Sequence, residues 1–312
     1  MATNVGLALG ALVGASLLSA AHAQQDAAPP GWIADDKGCR VADPNPEAQP
    51  RPNLSFVWSG ACEGGLVEGE GELQWYLNGR PIERYEGGYR EGKRNGHGVY
   101  VATNGTRYDG EYKDDKPDGH GVYISANGDR YEGEFKDGQA SGHAIVDFAN
   151  GNRYEGEYRD GKANGRGVYV NARGSRYEGE FKDGRRDGHG SYALANGDVY
   201  DGAFADDRQN GHGSYMFANG DRYEGEFKSG IGDGQGVYTK KDGGRYEGEF
   251  KNDLPNGKGT YTAPNGAEYS GNWVNGCYNK AVGYFVQDIE RGAANQPPAR
   301  RAWVGVSEDY CR

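Results

Sequence analysis

Apolar and polar positions alternate over short stretches of this chain, as in RYEGEF at residues 130–135. In an extended strand Tyr131, Gly133 and Phe135 share one face, while the arginine and glutamates between them share the other. A second alternating run, such as GHGVYV from Gly96, follows a turn of the KDG type, and Asn-Gly or Asp-Gly pairs close the unit. Such pairs suit turns with positive φ, so the pattern predicts hairpins of two antiparallel strands.

The hairpin pattern repeats with a fixed period. Its leading tyrosines lie 23 residues apart, since 269 − 85 = 184 = 8 × 23, and they are Tyr85, Tyr108, Tyr131, Tyr154, Tyr177, Tyr200, Tyr223, Tyr246 and Tyr269. An altered copy begins at Trp58, which brings the number of copies to ten. A fixed period is typical of proteins in which each unit packs on its neighbours. The sequence therefore predicts an all-β, elongated, single-layer antiparallel meander of ten β-hairpin repeats with a solenoid-like organisation.

Glycine and tyrosine take the place of the aliphatic residues that fill an ordinary core. The chain of 312 residues contains 55 Gly and 23 Tyr, and only 35% of its residues are hydrophobic. In each regular copy one glycine lies between two aromatic residues of the same strand face, and these motif glycines are Gly87, Gly110, Gly133, Gly156, Gly179, Gly202, Gly225, Gly248 and Gly271. A side chain there would fill space into which a tyrosine of a neighbouring strand can lie. We therefore expect ring-over-glycine packing to replace a conventional core.

The two ends of the chain lack the repeat. Residues 1–23 carry no charged side chain, are largely apolar and end in AHA, which is typical of a secretory signal cleaved after Ala23. An uncleaved membrane anchor is the alternative interpretation. The predicted domains are a signal peptide at 1–23, a Pro-rich extension and cap at 24–57, the repeat array at 58–284 and a C-terminal cap at 285–312. We expect an exported protein, periplasmic or secreted.

Four cysteines, Cys39, Cys62, Cys277 and Cys311, suit an oxidising compartment. With strands stacked about 4.8 Å apart, Cys62 and Cys277 would lie near opposite ends of the array, far beyond the Cα separation of about 7 Å that a disulfide permits. Pairing Cys39 with Cys62 and Cys277 with Cys311 would fasten each terminal segment to the nearest end repeat. We expect these two disulfides, with free or intermolecular thiols as the alternative.

Each copy contains, in this order, segments such as YEGEF, a glycine, NGHGVY and NG. This order resembles the MORN repeat, whose 23-residue pattern is Y-x-G-x-[FY]-x-x-G-x-x-x-G-x-G-x-[YF]. The resemblance extends over residues 58–284. Ala144 replaces the second glycine of one G-x-G, Val146 replaces its aromatic residue, and the last copy lacks the G-x-G at 280–282. The leading segment GCRVADPNP also looks like that of exported bacterial members. The resemblance implies a curved sheet of β-hairpins used for protein contacts, sometimes for dimerisation or lipid association.

Charged and imidazole side chains recur at fixed repeat positions. Five histidines share one position, with Arg166 in the same row, and they are His97, His120, His143, His189 and His212. Equivalent positions one repeat apart lie about 10 Å from each other, too far for nitrogens that share one zinc ion. Carboxylates such as Glu132, Glu134 and Asp137 recur in many copies, whereas a catalytic pair is normally singular. We therefore predict a solvated polar face, with binding of cations or of a basic partner as the weaker alternative for the carboxylates.

Motifs for familiar chemistry are missing from the sequence. It contains no phosphate-binding loop, no G-x-S-x-G and no H-E-x-x-H. The formal net charge of −11 disfavours nucleic acid as a partner. We expect no catalytic residue, no metal site and no cofactor.

The rows of aromatic residues are the remaining candidate surface. Packing is one interpretation of these rows, and an exposed groove that stacks a peptide, sugar or lipid is the other. The candidate binding face comprises Tyr100, Tyr108, Tyr123, Tyr131, Tyr154, Tyr169 and Tyr177. Two functions follow from these alternatives. The first is a non-catalytic exported scaffold for a protein partner or a second copy of itself, and the second is a module that binds a glycan, a cell-wall fragment or a lipid head group on the tyrosine face.

Overall fold

The structure is a computed structural model that describes residues 31–43 and 53–278, together with the backbone of strands at 282–287 and 302–305. The described residues divide into two compact units, one that ends at Lys162 and one that begins at Ala163. The strands of the N-terminal unit are β1 (Trp32–Ala34), β2 (Arg40–Ala42), β3 (Leu54–Trp58), β4 (Ala61–Glu63), β5 (Leu66–Leu77), β6 (Arg80–Arg90), β7 (Lys93–Ala102), β8 (Arg107–Lys113), β9 (Lys116–Ile124), β10 (Arg130–Lys136), β11 (Gln139–Asp147) and β12 (Arg153–Arg159). The strands that follow are β13 (Lys162–Val170), β14 (Arg176–Lys182), β15 (Arg185–Ala193), β16 (Val199–Ala205), β17 (Arg208–Met216), β18 (Arg222–Lys228), β19 (Ile231–Thr239), β20 (Arg245–Lys251), β21 (Leu254–Thr262), β22 (Glu268–Val274), β23 (Cys277–Tyr278), β24 (Val282–Gln287) and β25 (Ala302–Gly305).

Consecutive strands pair antiparallel along a meander in each unit, and β2 in addition pairs with β5 in the parallel sense through Arg40 and Leu66. In the N-terminal unit the meander runs from β5 to β12, and β3 and β4 both pair with β5. In the C-terminal unit it runs from β13 to β25. The predicted all-β antiparallel meander of hairpin repeats is confirmed.

Two kinds of turn alternate along each meander. A two-residue turn joins the strands of one hairpin, as at Asp137 and Gly138, whose φ angles are 48° and 84°. Positive φ at both central residues matches the right-handed twist of a hairpin, which explains why Asp-Gly recurs there. A longer loop joins one hairpin to the next and carries the Asn-Gly pair, as at Gly128 with a φ of 94°. The predicted turn positions are confirmed.

A β-bulge interrupts the second strand of the regular hairpins. In the β8–β9 hairpin Gly110 lies opposite Gly121 and Tyr112 opposite Pro117, so that Glu111 has no partner in β9. The first glycine of the G-x-G, Gly119, adopts a φ of 116° within this bulge, a conformation that L side chains rarely adopt. The alternating sequence pattern did not predict the bulge.

In the hairpins from Tyr85 to Tyr246 the leading tyrosine donates a hydrogen bond to a backbone carbonyl oxygen near the bulge. Its ring arches over the glycine pair of its own hairpin, and the Tyr108 hydroxyl donates a hydrogen bond of 3.1 Å to the carbonyl oxygen of Glu111. The same bond recurs one repeat later, where Tyr131 donates to Glu134 at 2.7 Å. A buried carbonyl left without a partner would be costly, so one side chain supplies both packing and a hydrogen bond.

The two glycines under each ring leave no room for a side chain. A Cβ added at Gly121 would lie 2.5 Å from the Tyr108 hydroxyl oxygen and 2.6 Å from Cζ. A Cβ at the motif glycine Gly110 would lie 2.5 Å from the Cα of Gly121 and 2.7 Å from the same hydroxyl. Ring-over-glycine packing is present, but the prediction that a neighbouring strand supplies the ring over Gly110 was wrong, because the tyrosine comes from the same strand.

The altered first copy follows the same packing rule. A Cβ at Gly71 would meet the ring of Trp58 at 2.5 to 2.8 Å, so the tryptophan occupies the place of the tyrosine. Gly69 has a φ of 74°, as the first glycine of a regular G-x-G does.

The aromatic rings on this face form a row of edge-to-face contacts. Tyr108 lies with its ring centroid 5.0 Å from that of Tyr112 in its own hairpin and 5.1 Å from Phe135 in the next, at interplanar angles of 84° and 89°. The angle falls to 64° between Tyr131 and Phe135, in the hairpin where Ala144 replaces the second glycine. Such contacts add roughly 0.5–1.5 kcal/mol each beyond the area that they bury.

A disulfide fastens the N-terminal segment to the first repeat. Cys39 and Cys62 are bonded with their Cα atoms 5.9 Å apart, which is the pairing predicted for these two residues. The amide of Ala42 donates to the carbonyl oxygen of Gly92 at 2.9 Å, which attaches the same segment to the β6–β7 turn. Cys277 is buried, but Cys311 lies outside the described residues, and the pair Cys277–Cys311 stays a prediction. The predicted signal peptide and cleavage after Ala23 also lie outside them.

The packing of Tyr108 predicts a large difference between two adjacent substitutions. Gly121→Val should destabilise the β8–β9 hairpin by about 3 kcal/mol, because the branched side chain would enter the space of the tyrosine ring. His120→Val, on the exposed opposite face, should change it by less than about 0.5 kcal/mol. Amide hydrogen exchange in β8 and β9 measures both effects. Equal protection in the two variants would contradict ring-over-glycine packing as the source of stability.

Candidate functional site

The structure buries the leading tyrosines of the predicted binding face. Tyr108, Tyr154 and Tyr177 have no exposed surface and Tyr131 retains 1%. Their hydroxyl groups all donate to backbone carbonyl oxygens of their own strands. These four residues therefore have no ring face open to a ligand, and placing them on an exposed stacking surface is corrected by their burial.

The other three residues of the predicted face are half-buried and lie directly opposite leading tyrosines. Tyr100 is paired with Tyr108 across β7 and β8, and Tyr123 is paired with Tyr131 across β9 and β10. In the C-terminal unit Tyr169 is opposite Tyr177. Burial raises the pKa of the Tyr100 and Tyr123 hydroxyls, and the Glu83 carboxylate adds to the rise at Tyr100. The seven tyrosines thus form two adjacent rows of one packed face.

Carboxylates in the loops extend this bonding from one repeat to the next. Asp198 is buried, accepts a hydrogen bond of 2.9 Å from the Tyr215 hydroxyl and one of 2.8 Å from the amide of Ala218. Asp221 repeats the arrangement with Tyr238 at 2.7 Å. The pKa of Tyr238 is raised, mainly by burial of its hydroxyl group and secondly by this hydrogen bond to Asp221. These aspartates follow the Asn-Gly pairs, and their role in joining loops was missed in the sequence.

Two arginines also lie on the aromatic face, where the sequence pattern gave no place for charge. The guanidinium carbon of Arg94 is 4.9 Å from the ring centroid of Tyr112, and Arg94 Nε lies 3.3 Å from Asp115 Oδ1. Arg186 and Asp207 reproduce this pair in the C-terminal unit. A signal was present in the sequence, because in both cases an aspartate follows the arginine by 21 residues.

The repeat that carries alanine at the Arg94 position leaves a hydroxyl group without a partner. Tyr158 is 3% exposed, and its hydroxyl is buried and makes no hydrogen bond in the described part of the chain. The guanidinium carbon of Arg94 lies 4.9 Å from the ring centroid of the equivalent Tyr112, whereas Ala140 takes the arginine's place two repeats on. Because this hydroxyl group is buried and has no hydrogen-bond partner, it lowers the stability of the folded state.

The opposite face of each meander carries the charged residues, and we call it the polar face. Arginines at the start of most first strands pair with an acid two residues on, as in Arg130 Nη2 to Glu132 Oε2 at 2.7 Å and Arg107 Nη2 to Asp109 Oδ2 at 2.6 Å. The same pair occurs at Arg176, Arg222 and Arg245. Residues two apart in a strand share a face, so each arginine and its acid lie side by side toward solvent.

The histidine row also lies exposed on the polar face. Four of the five predicted histidines have a glutamate directly opposite on the adjacent strand, as in His97 with Glu111 and His143 with Glu157. The exception is His189, which is opposite Ala203. His97 Nε2 lies 3.2 Å from Asp109 Oδ1. The row is therefore a strip of imidazoles alternating with carboxylates.

The predicted carboxylates of one repeat have separate places. Glu132 is held by Arg130, Asp137 forms the hairpin turn, and Glu134 lies opposite His120. In the C-terminal unit the residue equivalent to Glu134, Glu180, accepts a hydrogen bond of 3.1 Å from the amide of His189 at the bulge. Across residues 31–43 and 53–278, no three His, Cys, Asp or Glu side chains come together as a metal site. A search of the described residues for an apolar helix of membrane-spanning length also found none.

The unpaired hydroxyl of Tyr158 predicts opposite effects for the same substitution at two equivalent positions. Tyr158→Phe should leave stability unchanged or raise it by up to about 1 kcal/mol, because it removes an unsatisfied buried group. Tyr112→Phe should lower stability by about 1–2 kcal/mol, because it removes a hydroxyl group that interacts with the charged guanidinium of Arg94. Hydrogen exchange in the two hairpins measures both. Similar losses at the two positions would show that Tyr158 has a partner.

The buried tyrosines also predict loss of stability in alkali. Burial raises the pKa of the Tyr108, Tyr131 and Tyr177 hydroxyls, and it raises that of Tyr112 to about 12. Unfolded phenols release protons near pH 10, so the folded state holds more protons above that pH. Stability is therefore complete below about pH 10 and falls as the pH rises toward the folded values. Absorbance at 295 nm should change together with the circular dichroism of the sheet, and phenolate formation near pH 10 in an intact sheet would contradict this.

Comparisons with known proteins bear on the family. Among solved structures, the chain is similar to the TCP10 domain of Danio rerio CPAP bound to a STIL peptide, with 14% identity, a TM-score of 0.35 and coverage of 70% of this chain and 100% of that one. It is also similar to the Drosophila melanogaster SAS-4 TCP domain bound to a proline-rich motif of Ana2, with 11% identity, a TM-score of 0.29 and coverage of 57% and 85%. Likenesses at these scores carry no inference about partners.

The sequence itself matches a family profile over most of the array. No curated protein matches the chain. The profile of the MORN repeat matches eight consecutive segments, 85–107, 108–130, 131–153, 154–176, 177–199, 200–222, 223–245 and 246–268. These are eight of the ten predicted copies, and the copies from Trp58 and Tyr269 lie outside them. With more than half of its residues matched, the chain belongs to the MORN repeat family.

Proposed function

We propose that this chain is a non-catalytic, exported scaffold that binds a protein partner, or a second copy of itself, through its polar face. The observation that supports the proposal is that the two faces differ: one is packed with aromatic rings and the other exposes charged side chains. The leading tyrosines from Tyr85 to Tyr246 are buried and hydrogen-bonded, whereas the polar face presents the same exposed charges in most of the hairpins. The disulfide between Cys39 and Cys62 suits an oxidising compartment, which supports export.

The repeated arrangement favours a partner that lies across the strands. Each exposed ion pair on the polar face is worth only about 0.2–1 kcal/mol. Arginines one repeat apart are separated by about 9.6 Å, twice the strand spacing, and the row therefore offers several weak contacts to one extended partner. Aliphatic side chains lie between the arginines, as Val101 does beside Arg107, and give the row an apolar component.

The alternative of a glycan or lipid bound on the tyrosine face has lost its main support. Stacking requires an open ring face, and the leading tyrosines from Tyr85 to Tyr246 are buried. Tyr269, in the last copy, is half-buried. The second row, with Tyr100, Tyr123 and Tyr169, is half-buried, so its rings offer only part of a face for stacking.

Charge reversal on the arginine row predicts loss of partner binding. The full chain would be immobilised, a protein partner captured from the exported fraction and identified, and its affinity measured with the purified partner. Arg107→Glu with Arg130→Glu should weaken binding about tenfold or more, because each reversal turns an ion pair into a repulsion. A matched control, Lys37→Glu with Lys241→Glu, makes the same charge change on loops and should alter affinity less than twofold.

Two outcomes would count against the proposal. Equal affinities in the two variants would show that the arginine row does not bind the partner. Saturable binding of purified glycans or lipid vesicles that is lost in Tyr100→Ala with Tyr123→Ala would favour the ligand-binding alternative.

A further inference from the structure

The strand β3 has one edge without a partner in the N-terminal unit. Within the described residues it pairs with β5 only. The amide of Ser59 donates to Glu72 at 3.0 Å, and the carbonyl of Asn53 accepts from Asn78 at 3.1 Å. Backbone groups alternate in direction along an antiparallel strand, so every second residue from 53 to 59 is turned toward β5. The backbone N–H and C=O groups of Leu54, Phe56 and Trp58 are therefore turned toward the other edge.

Interior strands use the equivalent edge to join one repeat to the previous one. Trp58 corresponds to Tyr108 of a regular copy. Tyr108 is paired with Tyr100 of β7, the last strand of the previous repeat. No earlier repeat precedes β3 among the described residues. The short strand β1 approaches β3 but pairs with β2, and no backbone hydrogen bond joins β1 to β3. At Trp58 the β3 edge thus corresponds to the edge that joins interior repeats, and Leu54 and Phe56 extend that edge beyond the start of a regular strand.

The sequence of β3 lacks the devices that usually block an open edge. LSFVW contains no charged residue and no proline, whereas lysines, inward charges and prolines commonly protect edge strands. On the polar face Ser55 is exposed and Val57 retains 57% of its surface. On the aromatic face Phe56 is buried against Trp75, with ring centroids 5.3 Å apart.

We propose that β3 pairs with β3 of a second copy of this chain, antiparallel and with Phe56 opposite Phe56. This interface specifies how the chain would bind a second copy of itself, and it rests on that part of the proposed function. In this register Leu54 of one copy is opposite Trp58 of the other. The backbone N–H and C=O groups of Leu54, Phe56 and Trp58 in each copy then form hydrogen bonds with those of the other copy. The contact is isologous, as the interface of a two-fold dimer must be.

The chemistry of β3 fits a second copy better than an unrelated peptide. The repeats of this chain join by placing like beside like, with Tyr100 opposite Tyr108 and Gly98 opposite Gly110. A β3 pair follows the same rule, because Phe56 meets Phe56 on the aromatic face. On the polar face Ser55 of one copy is opposite Val57 of the other, which covers the exposed valine without bringing like charges together. A charged peptide would find no counter-charge within β3.

The first test measures the mass of the full chain by sedimentation velocity over a hundredfold range of concentration. The five-residue strand makes a small interface, so the wild-type mass should rise from one copy toward two as concentration increases. Ser55→Lys with Val57→Lys places lysine opposite lysine and should shift the midpoint at least tenfold to higher concentration. The matched control, Val99→Lys with Val101→Lys, makes the same change on the polar face of β7, an interior strand, and should dimerise as the wild type does.

A charge-swapped variant tests the register. Ser55→Lys with Val57→Glu places opposite charges face to face in the proposed pair and should restore the wild-type midpoint. Amide exchange at Phe56 should slow with rising concentration in the wild type and in this variant, but not in the double-lysine variant. A wild-type chain that stays monomeric throughout, or a double-lysine variant that dimerises normally, overturns the proposal.

These outcomes are separate from those of the scaffold proposal. A monomeric chain that still binds a protein partner through Arg107 and Arg130 would leave the scaffold in place and remove only the β3 pair. Dimerisation through β3 without any effect of the arginine reversals would keep the β3 pair and remove the polar face as the binding surface.

Discussion

The structure depends on the contact between a tyrosine ring and a pair of glycines. A sheet in a single layer has no second layer to cover its apolar face, so the aromatic rings must lie against the sheet itself. Two glycines opposite each other, such as Gly110 and Gly121, provide a flat surface for one ring, and a Cβ on either would occupy the space of Tyr108. Gly121→Val tests that constraint directly, because it changes the surface under the ring and leaves the ring unchanged.

The same contact determines which face can bind. The hydroxyl group that completes each ring's position donates to a carbonyl at the bulge, so the leading tyrosines from Tyr85 to Tyr246 have neither an open ring face nor a free hydroxyl. The polar face is not needed for this packing, since its arginines and acids pair at the surface, where each pair contributes little to stability. Substitutions on that face can therefore change partner binding while the fold is kept.

The sequence predicted the repeat, the hairpins and the turns, because each follows from a local rule: alternation, period, and glycine at positive φ. It did not predict the bulge, because a bulge requires knowing which residues face each other across two strands. For the same reason it placed the wrong ring over Gly110 and left the leading tyrosines as candidates for an exposed face. Arg94 and Asp115 were missed because they interact across a repeat boundary, at a distance of 21 residues that differs from the period.

Identical repeats cannot determine the position at which a partner binds, so that position must depend on the copies that differ. A partner displaced by one repeat along an ideal polar face would meet the same charges, so identical copies cannot fix where it binds. The departures break this degeneracy: Asp147 stands where the copies on either side have Ile124 and Val170, and Arg166 interrupts the histidines. Ala203 lies opposite His189 where a glutamate stands in other copies, which leaves that histidine without the usual facing carboxylate. Affinity can come from the repeated pairs, whereas the position of a partner must come from the copies that differ.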